Sequence, residues 1–83
     1  MHITAEISLY PLKEDYGPVI DHFIAELENE PGITVDPGTM STLVGGEYES
    51  VMRALEQRIH AVFRQEHVVF SLKISNSCGV EGG

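Results

Sequence analysis

The chain has no tryptophan, one cysteine, and only five lysines and arginines against thirteen aspartates and glutamates. Each shortage excludes something. The lone thiol of Cys78 cannot form an internal disulfide and supplies no cysteine framework for a structural metal. A formal net charge of -8 repels a phosphate backbone, and no Lys/Arg cluster makes a local exception, so nucleic acid is not expected as a partner. The same field favours small cations. No apolar stretch approaches the roughly 18–20 residues that span a bilayer. The opening Met1-His2-Ile3-Thr4 lacks the basic region and apolar run of a secretory signal. These absences predict a cytoplasmic protein without a membrane segment.

Catalytic and metal signatures are also scarce. His2, His22, His60 and His67 are scattered, with no pair at metal-ligand spacing on one element. Gly45-Gly46 lacks the Lys and Ser/Thr that would follow in a phosphate-cradling loop, and it reads as a turn. Arg53, Arg58 and Arg64 fall on one helical segment, away from the strand ends where phosphoryl chemistry is usually assembled. Cys78 lies in a Gly-rich tail with no activating neighbour, which suits the wall or lid of a pocket better than a nucleophile. The expectation is no enzyme, no metal and no required cofactor.

What is present is a regular pattern of elements. Ile3, Ala5, Ile7 and Leu9 alternate with Thr4, Glu6, Ser8 and Tyr10, the period of a strand that ends at Pro11. Tyr16, Val19, Ile20, Phe23, Ile24 and Leu27 form the stripe of an amphipathic helix with Pro18 in its first turn and Pro31-Gly32 beyond its end. Ile33-Thr34-Val35 begins a second strand that Pro37-Gly38 interrupts. Thr39 to Val44 reads as a third strand closed by Gly45-Gly46. A second helix carries Tyr48, Val51, Met52, Leu55, Ile59, Val62 and Phe63 on one face, and His67 to Ser75 is the last strand. The order βαββαβ predicts a ferredoxin-like α+β fold, with a four-stranded antiparallel sheet and both helices on one face. The 83 residues make one domain, 1–83, near the lower limit of what a single core can stabilise, so shared burial with a partner is favoured.

Two helices cover only one sheet face. Val68-Val69-Phe70 and Leu43-Val44 place apolar side chains on both faces of their strands, which predicts a homodimer or homotetramer assembled through the uncovered face. Small polar side chains also gather on the predicted strands: Glu6, Ser8 and Tyr10 on the first, Thr39, Ser41 and Thr42 on the third, Ser71 and Ser75 on the fourth. Hydroxyls and a carboxylate among apolar neighbours suit a small, flat ligand with hydrogen-bonding edges.

Two segments are similar to those of a known family. Ala5-Glu6-Ile7-Ser8-Leu9-Tyr10-Pro11-Leu12 and Gly38-Thr39-Met40-Ser41-Thr42-Leu43-Val44-Gly45-Gly46-Glu47-Tyr48-Glu49-Ser50-Val51 resemble the thiamine-binding family, which includes the YkoF-type binders of thiamine and hydroxymethylpyrimidine. The ending Ser75-Asn76-Ser77-Cys78-Gly79 is similar to the YkoF-type ending. The resemblance implies non-enzymatic binding of thiamine or its pyrimidine part by an oligomer, in vitamin uptake or salvage. The YkoF type carries two such domains in tandem, and a homodimer of this chain would rebuild that pair. On this reading Glu6 accepts from the exocyclic amine, and Ser8, Thr39, Ser41, Thr42 and Ser75 belong to the polar site. Tyr10, Met40 or Phe70 would pack on the ring. The alternative is a regulatory or structural ferredoxin-like module that senses another small metabolite, such as an amino acid.

Overall fold

The computed structural model describes residues 1–77; Cys78 and the tail after it, read above as a pocket wall or lid, lie outside the described residues. Strand β1 (His2–Pro11) is followed by α1 (Gly17–Glu28), β2 (Ile33–Pro37), β3 (Thr42–Glu47), α2 (Tyr48–Phe63) and β4 (Val68–Ser75). The strands form one antiparallel sheet in the order β2-β3-β1-β4. This is the ferredoxin-like α+β arrangement that the element order predicts.

The alternation in β1 decides what is covered. Ile3, Ala5 and Ile7 are buried, together with Phe23 and Leu27 of α1, Val44 of β3, and Val51, Ala54 and Leu55 of α2. Both helices therefore lie on the side of β1 that carries its odd-numbered residues. Phe70 of β4 reaches the same core, with its ring centroid 5.2 Å from Phe23 and 5.5 Å from Phe63. Such tilted and edge-on pairs contribute about 0.5–1.5 kcal/mol each beyond their burial. At the start of β1, the Met1 ammonium donates to Glu47 Oε1 at 2.9 Å and the Tyr48 amide donates to the Met1 carbonyl at 2.8 Å. That hydrogen bond holds the Met1 amine above its ordinary pKa and the Glu47 carboxyl below its own.

On the open face, cross-strand partners follow from register: Glu6 opposes Leu43 and Lys73, Ser8 opposes Ser71, and Tyr10 opposes Val69. Leu43, Tyr10 and Val69 are exposed here, while Thr4, Glu6, Ser8, Ser71, Lys73 and Ser75 make the rest of β1 and β4 on this face polar. Tyr10 and Val69 thus pair at one end of the face, while Leu43 stands level with Glu6 and Lys73, with Ser8 and Ser71 in between. Leu43 and Val69 are not on adjacent strands, because β1 runs between them.

The third strand departs from its predicted bounds. It begins at Thr42 rather than Thr39 and runs through Gly45-Gly46 to Glu47. These glycines are not a closing turn; Gly46 pairs with Ile3 on one side and Ile33 on the other. Their place in the sheet has a steric cause. A Cβ on Gly46 would lie 2.8 Å from the Gly32 carbonyl oxygen and 3.4 Å from Val51 Cγ2, and its φ of 152° is one that side chains rarely adopt. Glycine here permits the close approach of the Gly32 backbone, just before β2, to the strand. Gly46→Ala is expected to cost about 1–3 kcal/mol in urea unfolding. Gly17→Ala, where an added methyl meets open space, should cost much less.

Candidate functional site

β1 is ten residues long, but β3 accompanies it only from His2 to Ile7, whereas β4 pairs with it as far as Pro11. From Ser8 onward, the side of β1 toward β3 has no strand beside it. The β2–β3 connection, residues 38–41, lies next to this gap, closed by the Gly38 amide donating to the Ser41 carbonyl at 2.8 Å. A Cβ on Gly38 would approach that oxygen to 2.8 Å, so the tight closure depends on glycine. Together these segments enclose a cavity of about 110 Å³, walled by Ser8 and Leu9, by Ile20, Phe23 and Ile24 of α1, and by the loop as far as Thr42.

The structure brings Ser8, Thr39, Met40, Ser41 and Thr42 to this cavity. Thr42 is buried on the helix side, and Met40 is almost fully exposed at the rim. Glu6 stands just outside the lining and is joined to it by the Ser41 hydroxyl, which donates to Glu6 Oε2 at 3.0 Å. Lys73 Nζ lies 3.9 Å from Glu6 Oε1 on an exposed side chain, where water weakens the attraction. Ser8 Oγ donates to the Met40 carbonyl at a long 3.4 Å. Tyr10 and Ser75 do not line the cavity. Tyr10 is on the open face opposite Val69, and Ser75 pairs with Thr4 toward the other end of β1. The Ser75 hydroxyl accepts from the Ser77 amide at 3.0 Å.

Sequence reading missed the α1 contribution. Ile20, Phe23 and Ile24 form part of the apolar stripe and were assigned wholly to the core; only the three-dimensional placement of the loop gives them a second surface. The cavity therefore has a hydroxyl-bearing wall facing an aliphatic and aromatic one. Chemically, it can sandwich a small planar group and offer donors and acceptors to its edge.

The architecture defines a ferredoxin-like α+β protein, and solved structures share it. A Streptococcus pneumoniae protein superimposes with TM-score 0.82 at 24% identity, over 90% of this chain and 86% of that one. A Thermotoga maritima protein provisionally assigned to thiamine biosynthesis or salvage gives TM-score 0.81 at 26% identity, over 95% and 87%. A Methanocaldococcus jannascii protein of unassigned function gives 0.76 at 23%, over 90% and 79%. No curated protein matches the chain. The chain belongs to the thiamine-binding protein family, whose profile matches residues 5–82.

Ser41 ties the loop to β1 through Glu6. Ser41→Ala is expected to cost about 0.5–1.5 kcal/mol and to speed amide exchange at Gly38 and Ser41. Unchanged exchange would show that the bond does not order the loop.

Proposed function

We propose that this chain binds thiamine or its hydroxymethylpyrimidine part without turning it over, holding the pyrimidine in the cavity under the 38–41 loop. The observation that carries this reading is the convergence of Ser8, Thr39, Ser41 and Thr42 with Phe23 on one cavity, in a member of the thiamine-binding family. An aminopyrimidine has a flat body and a donor–acceptor edge. The apolar wall takes the first, and the hydroxyls, with Glu6 behind Ser41, take the second.

Size argues for the ring rather than the whole vitamin inside. Pockets that enclose entire drug-sized ligands span about 300–1,000 Å³, and this cavity is about 110 Å³. The thiazolium would remain outside, where a fixed positive charge meets an acidic protein. A binding role of this kind fits uptake or salvage of the vitamin.

Calorimetric titration with thiamine and with hydroxymethylpyrimidine tests the reading. Both are expected to bind, and Ser8→Ala or Thr42→Val should weaken them about tenfold, the equivalent of ~1.4 kcal/mol. No heat up to millimolar ligand would remove the proposal; a response to an amino acid with none to thiamine would favour a metabolite-sensing module.

We also propose that the open sheet face joins copies into a homodimer or homotetramer. Leu43, Tyr10 and Val69 are its exposed apolar side chains, Leu43 opposite Glu6 and Val69 opposite Tyr10. Because Leu43 and Val69 lie outside the helix-covered core, Leu43→Asp and Val69→Asp should dissociate the assembly while leaving circular dichroism unchanged. Sedimentation showing the same mass for both variants and the parent would defeat the proposal.

A further inference from the structure

A second cavity, of about 350 Å³, lies between the helices, where the β1–α1 connection meets the C-terminal end of α2. None of the residues expected to hold the pyrimidine lines it, although His22 and Arg58 do. Its apolar surface comes from Val19 and Phe23 of α1 and Val62 of α2, and charged side chains surround this surface.

Those charges do not balance. Lys13 Nζ is 3.4 Å from Glu66 Oε1. Arg58 Nη1 donates to Glu26 Oε1 at 2.9 Å, while its Nε lies 3.1 Å from Glu30 Oε2 without hydrogen-bonding alignment. Of the lining residues, Lys13 and Arg58 are thus each paired with a carboxylate, Glu66 and Glu26, while Asp15 is a third lining acid that enters no ion pair among the described residues. The opposed helix ends, the first turn of α1 and the last of α2, offset one another in sign. Side chains therefore set the local field, and they leave it negative. A neutral apolar molecule would gain only contact with Val19, Phe23 and Val62. A molecule that adds a positive group near Asp15 gains attraction on a surface where the Lys and Arg charges are already matched.

We propose that this interhelical cavity is a second ligand site, for a small organic cation with an apolar or aromatic body. The body lies on Val19, Phe23 and Val62, and the positive group faces Asp15. The volume falls within the range of small-molecule sites. The site is separate from the loop cavity and does not rest on what that cavity binds.

The test compares two probes of like shape, phenethylamine and phenethyl alcohol, titrated into the isotope-labelled full chain near neutral pH. The amine is expected to shift the amides of Val19 and Val62 and to bind at least about fivefold tighter than the alcohol, ~1 kcal/mol. Asp15→Asn should remove that preference; Asp15 is exposed, and the same spectra report whether the variant is folded. Three results would overturn the proposal: no shift at these amides by about 10 mM amine, equal binding of amine and alcohol, or shifts at Ser8 and Thr42 instead. The last would place the cation in the loop cavity, so this site and the proposed pyrimidine site fail separately.

Discussion

The unequal length of neighbouring strands is the constraint on which the candidate site depends. β1 carries its ladder to Pro11 against β4, yet loses β3 after Ile7. An unpaired strand side is a row of donors and acceptors that must find other partners or water. Here the β2–β3 loop comes alongside, fixed by Gly38 to Ser41, by Ser8 to Met40 and by Ser41 to Glu6. Had β3 continued to match β1, the space now lined by Thr39 to Thr42 would be filled with sheet. Pro37 helps to stop it: it ends β2 opposite Thr42 and has no amide hydrogen with which to extend the ladder.

The same arrangement joins core and cavities through one ring. Phe23 is buried, packs on Phe70 at a tilt of 56°, and lines both the loop cavity and the interhelical one. Phe70 meets Phe63 in turn, so three aromatic rings connect α1, β4 and α2. Close-packed rings have little room to move independently. A ligand against either face of Phe23 therefore presses on the structure that seats both helices. The Arg58 contacts to Glu26 and Glu30 hold the helices together on the other side of this contact.

Much of this was legible in the residues, and the failures have physical causes. The alternation of β1 and the stripes of both helices place the core correctly, because burial on one face imposes a period that survives in the sequence. Gly45-Gly46 reads as a turn in the sequence, since glycine marks turns more often than it marks places where another backbone must approach a strand closely. Ser75 was grouped with the polar cluster by strand membership alone. It opposes Thr4, four residues from Ser8, a distance of roughly 13 Å along an extended chain. Position along a strand depends on register, and register is fixed by partners that are remote in sequence. The interhelical cavity was invisible for the same reason, since Lys13 and Glu66 meet only after the chain has folded.

A core this small makes binding and stability inseparable. Among the described residues the buried apolar set is nine side chains, two of them alanines, and domains of this size stand only a few kcal/mol above unfolding. Any molecule that binds only the folded form adds RT ln(1 + [L]/Kd) to that margin, about 2.7 kcal/mol at a hundredfold excess over Kd. In this chain the gain would be felt at Phe23, one of the few large buried side chains and a wall of both cavities. The apolar side chains exposed on the open sheet face, Leu43, Tyr10 and Val69, offer a further surface whose burial would add to the same margin. With so few buried side chains of its own, this chain would gain proportionately more than a large domain from any such burial.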